Sequence, residues 1–158
     1  MDIRNHTFNK TKGIFITPPY AGVAGAASDN VKLTSAAIDR SGFSELDLYS
    51  VLSATVAALT EAKGIEVTVK ILDSEDGTNF ADFSSITFNH AAITVNETLN
   101  KIDGFKVDLQ GAGQFLKFEV TADSKATGTD TYNYAVNGIL ACAQSAPTVN
   151  VSGTVEYL

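Results

Sequence analysis

The chain has a single cysteine, Cys142, and no tryptophan. One thiol excludes an internal disulfide framework and any zinc knuckle built from cysteines alone. Histidine is nearly as scarce, with His6 and His90 only. Neither has a second His, Cys or carboxylate at ligand spacing, so no metal site is expected. Both read as surface residues, His6 in the N-terminal segment and His90 in a polar loop beside Asn89. Cations are outnumbered: eleven Lys and Arg against eighteen Asp and Glu give a net charge of −7 and a pI near 4.6. That balance opposes coating nucleic acid, which needs cations to displace the counterions on phosphate. No apolar run approaches the ~18 residues of a membrane helix, so neither nucleic acid nor membrane is an expected partner. Behind Met1 come Asp2, Arg4, Asn5, His6, Asn9, Lys10 and Lys12 without the apolar stretch of a secretory signal, which implies cytosolic synthesis.

Catalytic signatures are missing too. There is no Gly-x-Ser-x-Gly elbow, and Cys142 falls on the apolar side of a strand pattern, as a small core hydrophobe does. Gly22-Val23-Ala24-Gly25 and Gly111-Ala112-Gly113 lack the strand-then-helix context of a phosphate cradle. Nothing marks one carboxylate pair above the others, so the chain is expected to be no enzyme and to carry no cofactor. Asp73-Ser74-Glu75-Asp76-Gly77 fails the EF-hand pattern, because its glycine is fifth rather than sixth and Ser84 stands where the bidentate carboxylate belongs. Two readings stay open there: an acidic hairpin turn, or a looser calcium site from Asp73, Glu75, Asp76 and Asp82.

What is present is period two. The chain has 158 residues, 44% apolar and 18% charged, with a mean hydropathy of +0.07. That suits one domain burying roughly 70% of its unfolded surface. Ile65, Val67, Val69 and Ile71 share one face while Glu66, Thr68 and Lys70 take the other. Phe105, Val107 and Leu109 alternate with polar residues, as do Leu116, Phe118 and Val120. Tyr132, Tyr134, Val136, Leu140 and Cys142 continue the pattern, and Val149, Val151, Val155 and Tyr157 close it. These are half-buried antiparallel strands. Leu46, Leu48, Leu52, Ala54 and Val56 also fit a helical stripe in part, but a long strand to about Val56 is favoured. Turns are expected at Asp76-Gly77, Asp103-Gly104, Gly111-Ala112-Gly113 and Thr127-Gly128-Thr129. The fold class is therefore all-β: an antiparallel β-sandwich, jelly-roll-like.

The first thirty residues differ. Ala21-Gly22-Val23-Ala24-Gly25-Ala26-Ala27-Ser28 is made of small residues that bury little, so residues 1–30 read as an extended N-terminal arm or linker and 31–158 as the sandwich domain. Phe8, Phe15 and Tyr20 are candidate anchors by which the arm orders against a neighbour. Val149, Val151, Val155 and Tyr157 form a second candidate contact, a strand able to pair with a partner's edge.

The order of signals resembles small structural proteins of tailed-bacteriophage virions, in particular capsid decoration (cement, or auxiliary) proteins. The resembling stretches are Glu45-Leu-Asp-Leu-Tyr-Ser-Val-Leu52, the strand from Ile65 to Leu72 running into Asp73-Ser-Glu-Asp-Gly-Thr-Asn-Phe80, then Gly113-Gln-Phe-Leu-Lys-Phe-Glu-Val120, and Tyr132-Asn-Tyr-Ala-Val-Asn-Gly-Ile-Leu-Ala141. Such proteins often carry Arg-Tyr before the penultimate strand, where this chain has Gln114-Phe115. The resemblance implies a non-enzymatic virion protein on the capsid exterior, made in the host cytoplasm. It also implies binding to the major capsid protein, as a homo-oligomer or lattice of copies. A neck, tail or fibre-base component is the nearest alternative. A carbohydrate-binding β-sandwich module is the rival from another class, with Tyr132 and Tyr134 as the rings to test.

Overall fold

The structure, a computed structural model, describes residues 11–56, 63–93, 97–125, 130–143, 148–149 and 155–156. Two antiparallel sheets enclose one core, and among the described residues there is no helix. The strands are β1 (Lys12–Phe15), β2 (Tyr20–Val23), β3 (Leu33–Thr34), β4 (Ile38–Asp39), β5 (Phe43–Val56), β6 (Lys63–Ser74), β7 (Ala81–Ile93), β8 (Glu97–Asp108), β9 (Phe115–Ser124) and β10 (Thr131–Ala143). Two further two-residue strands, β11 (Thr148–Val149) and β12 (Val155–Glu156), pair antiparallel in a separate sheet.

The first sheet runs β1/β2–β10–β5–β8, with β1 and β2 end to end along β10; the second runs β3/β4–β9–β6–β7, with β3 and β4 end to end along β9. Among the described residues, counting each end-to-end pair as one strand gives eight strands in two sheets of four, and successive strands alternate between sheets except where β6 meets β7. That is the wiring of a jelly roll.

The alternation in sequence explains which side faces in. Leu46, Leu48, Leu52 and Ala54 of β5 meet Val67, Val69 and Ile71 of β6, with Leu116, Phe118, Val120 and Ala122 of β9 and Tyr132, Tyr134, Val136 and Leu140 of β10. β5 is one unbroken strand to Val56, so tertiary pairing on both sides overrides the partial helical stripe.

Segment 1–30 supplies a sheet edge in its described part, followed by the turn residues 24–30. Residues 12–15 and 20–23 pair with β10, and Ile14, Ile16 and Ala24 are core residues. Between the two strands, Thr17 stays on the ladder: its N–H donates to the Val136 carbonyl at 3.0 Å and its Oγ1 accepts from the Val136 N–H at 3.0 Å. The small side chains reflect tightness rather than looseness. Gly22 lies opposite Tyr132, and a Cβ there would sit 2.1 Å from the tyrosine Cζ. An aromatic ring laid over a cross-strand glycine covers the backbone that the glycine leaves bare.

The same device moves one expected turn. Asp103-Gly104 lies inside β8, opposite Ser50 and Tyr49, with the Tyr49 ring 3.4 Å from where a Gly104 Cβ would be. Asp76-Gly77 is a turn as expected, with Gly77 at φ +71°. Thr127-Gly128-Thr129 lies outside the described residues. His90 is a second departure: it is a buried residue of β7, not a polar loop residue.

Candidate interaction surface

Two polar clusters hold the sandwich ends, and they account for most of the groups that looked able to do chemistry. At one end the chain crosses between sheets through residues 24–30. Asp29 accepts hydrogen bonds there from the Gly25 N–H at 2.8 Å and from the Asn30 and Ser124 N–H groups at 3.1 Å each. Tyr132 presents its hydroxyl to Asp29 Oδ1 at 2.7 Å and to the Ala122 carbonyl at 3.0 Å, so a ring rooted in one sheet is tied to the other. Partial burial pushes the Asp29 pKa up, but the Gly25 N–H, the Tyr132 hydroxyl and the other two N–H donors outweigh it and hold it below its ordinary 3.8. Burial first, and then Asp29, raises the Tyr132 phenol.

A depressed carboxylate contributes stability that is fully present above its unfolded pKa and is lost as pH falls through the folded one. Unfolding free energy should therefore drop as pH falls below about 4. Asp29→Asn should be less stable at neutral pH and show a shallower acid slope. Urea melts across a pH series test this; identical slopes in both proteins would remove Asp29 as a contributor.

At the other end, Arg40 is a clamp. Its Nε donates to the Gly113 carbonyl and its Nη1 to the Phe43 carbonyl, both at 2.8 Å, and its Nη2 to the Ala112 carbonyl. The Gly113 N–H donates to Asp73 at 2.7 Å. Asp76 is used by its own turn, accepting from the Thr78 and Asn79 N–H groups, the Ser74 hydroxyl and the Asn79 amide at 2.8 Å each. Those donors, led by the Asn79 and Thr78 N–H groups, hold its carboxyl well below the usual range. Asp73 and Asp76 thus turn to different backbone partners, which favours the hairpin-turn alternative over the calcium one. Among the described residues no three His, Cys, Asp or Glu converge.

His90 sits against the opposite sheet, its Nδ1 2.9 Å from Asp103 Oδ2 in an orientation that does not make a hydrogen bond. Burial lowers its pKa, Asp103 pulls the other way, and Lys101 adds to the lowering.

The distinctive asymmetry is between the two outer faces. The second sheet presents Glu66, Thr68 and Lys70 from β6 beside Lys117, Glu119, Thr121 and Asp123 from β9. They are laced by Lys70–Asp82 at 2.7 Å, Lys125–Glu66 at 3.0 Å and Lys32–Glu119 at 2.9 Å, and Lys117 stands 5.4 Å over the Phe80 ring. It is a solvated face. The first sheet presents Phe15, Ile139, Tyr49, Val51 and Ile102 from β1, β10, β5 and β8, with Val51 directly opposite Ile102 and Phe15 and Tyr49 on either side of Asn137. All five are exposed, Phe15 at 66% and Ile102 at 71%. Asn133, Ala135 and Asn137 fill the gaps, and the charges Glu45, Asp47 and Lys106 gather at one end, where Lys106 pairs with Glu45 at 2.7 Å.

The sequence candidates fare unevenly. Phe15 belongs to this face. Tyr20 is half-buried and packs at a 58° tilt against Tyr134 with centroids 5.8 Å apart, so it belongs to the core edge. Phe8, Val151 and Tyr157 lie outside the described residues, as does His6; Val149 and Val155 are register partners in the β11–β12 pair. Tyr132 and Tyr134 are fully buried and offer no ring to a sugar, and burial pushes the Tyr134 phenol up to about 12. Tyr49, Val51 and Ile139 escaped notice because alternation marks the inward series. The signal was the broken alternation at Val51-Leu52 and Ile139-Leu140, apolar doublets that place one residue on each face.

No family model matches the chain, and no curated protein does. Among solved structures it is similar to VP2 of infectious bursal disease virus in a subviral particle, at TM-score 0.51 and 7% identity, covering 87% of this chain and 34% of that one. The likeness is one of fold. The same virus's T13 particle gives TM-score 0.49 at 11% identity, over 85% of this chain and 31% of that one. The N-terminal CBM22-1–GH10 modules of a Clostridium thermocellum endo-1,4-beta-D-xylanase, complexed with xylohexaose, give 0.37 at 16% identity, over 91% and 29%. Neither of these last two carries weight at such scores. This chain spans about a third of the length of the first two, and its all-β sandwich is similar in fold to VP2 of the subviral particle.

Proposed function

We propose that this is a non-enzymatic structural protein of a phage particle, a capsid decoration protein that binds the assembled head and bridges neighbouring major capsid subunits. The observation that carries the reading is the one-sided surface: an ion-paired outer face on one sheet and, on the other, an outer face that exposes five large apolar side chains. A monomeric soluble domain seldom leaves five large apolar side chains together on a flat face, and such a patch marks a surface to be covered. Each copy need gain only a little from docking, because a repeating lattice multiplies the effect. Phe15 and its neighbours form the docking face in this reading. Residues 1–10 with Phe8, and the C-terminal Val149, Val151, Val155 and Tyr157, are accessory contacts.

Co-sedimentation with purified heads lacking the protein tests it. The wild-type chain should saturate the shells in hundreds of copies. Val51→Asp and Phe15→Asp, both at exposed sites, should melt within a few degrees of wild type yet leave the shells bare. Variants that decorate as well as wild type would sink the assignment of this face. A wild-type chain that stays in the supernatant would sink the decoration reading itself.

A further inference from the structure

Among the described strands, three of the four edges of the two large sheets are blunted. The β1/β2 edge is interrupted by Pro18-Pro19, which cannot donate to a ladder. The β3/β4 edge consists of two two-residue strands. β7 carries register breaks against β6 at Lys63/Ile65 and Ile71/Leu72, and bulges of this kind protect an edge from pairing. β8 has none of these devices. Its 12 residues pair with β5 in unbroken register, and no described strand covers its far side. It also exposes Ile102 and Phe105, the latter at 52%. A long, regular edge with exposed apolar residues is a template for another strand.

We propose that β8 pairs antiparallel with β8 of a second copy about a two-fold axis at Ile102, joining the two first sheets into one. The charges on the strand favour this register over the two adjacent to it. With the axis at Ile102, Lys101 of each copy lies opposite Asp103 of the other, and Ile102 meets its own counterpart. A two-fold normal to the sheet keeps like faces together, so the register can slip only in steps that move the axis by one residue. Moving it to Lys101 sets lysine against lysine, and moving it to Asp103 sets aspartate against aspartate; like charges directly opposite are destabilising. Lys101 and Asp103 share the face of β8 that lies over Leu52 and Ser50. Lys101 is exposed and has no ion-pair partner among the described residues, while Asp103 stands half-exposed beside His90. Ile102, opposite Val51 on the other face, would carry the apolar outer surface across the axis into the second copy. This pairing is independent of docking to a shell, since it is measured on the purified chain alone.

Sedimentation velocity at micromolar concentration should find the wild-type chain dimeric. Lys101→Asp and Asp103→Lys each set like charges opposite one another twice per dimer, and each should weaken association about tenfold or more. An equimolar mixture of the two variants restores both opposite-charge pairs and should recover the dimer as a heterodimer. Should Asp103→Lys fail to fold beside His90, Ile102→Cys in a Cys142→Ser background gives an independent readout. It should cross-link to itself under mild oxidation, whereas Thr98→Cys, which lies opposite Lys106 in this register, should not. A monomeric wild-type chain, a Lys101→Asp protein that dimerises normally, a folded mixture that stays apart, or an Ile102→Cys variant that does not cross-link would each overturn the proposal.

Discussion

Tyr132→Ala should lower stability by about 3–5 kcal/mol, the usual cost of removing a fully buried aromatic ring. The side chain is fully buried, lies over Gly22 and 6.2 Å from the Tyr134 ring, and reaches the other sheet with its hydroxyl. Tyr132→Phe separates the two roles. It keeps the ring but removes the donor to the ionised Asp29, and should cost about 1.5–3 kcal/mol, the range for hydrogen bonds to charged groups. For a chain of this length the alanine variant should melt about 10 °C lower or more. Denaturant melts of the three proteins check the ordering. If phenylalanine cost as much as alanine, the cross-sheet hydrogen bond would dominate and ring packing would matter little. If phenylalanine were neutral, the staple would be packing alone.

Gly113→Ala is expected to be nearly as damaging, at about 3 kcal/mol or more, above the usual overpacking range because the obstruction is backbone. A Cβ at Gly113 would lie 2.6 Å from both the carbonyl carbon and the oxygen of Ser74, and neither can rotate away as a side chain could. Relief requires the 111–113 loop to lift from the 74–77 turn. That movement would also break the Gly113 N–H bond to Asp73 and the Arg40 bond to the Gly113 carbonyl. Gly111, with φ +84° and open space around its Cβ position, is the control: alanine there is strained by backbone conformation alone and should cost less. Equal losses at the two positions would show that the close approach at Gly113 is not what holds the loop.

Much of this architecture was legible in the residues. Period-two runs such as Ile65 to Ile71 and Leu116 to Val120 state both the strand and its buried face, because side chains alternate across a sheet whatever the topology. Misreadings occurred where a residue's local preference was outweighed by a distant partner. Asp103-Gly104 reads as a turn until Tyr49 is laid across the glycine. His90 beside Asn89 reads as polar loop until β7 turns it toward Asp103. The small residues from Ala21 read as slack chain until the Tyr132 ring fills the space above Gly22.

The candidate surface shows the same division. Composition by itself determined that the chain lacks a disulfide frame, a catalytic signature and a cationic excess, and alternation determined an antiparallel all-β core. Those properties depend on residue type and on neighbours one or two positions away. Only the tertiary structure decided that Phe15, Ile139, Tyr49, Val51 and Ile102, drawn from four strands, share one outer face, and that β8 alone among the described edges stays unblunted. Adjacency between strands is set by the order in which the chain is wound into the jelly roll. Residues more than a hundred positions apart, such as Phe15 and Asn137, become neighbours by that winding and by nothing in their own local sequence.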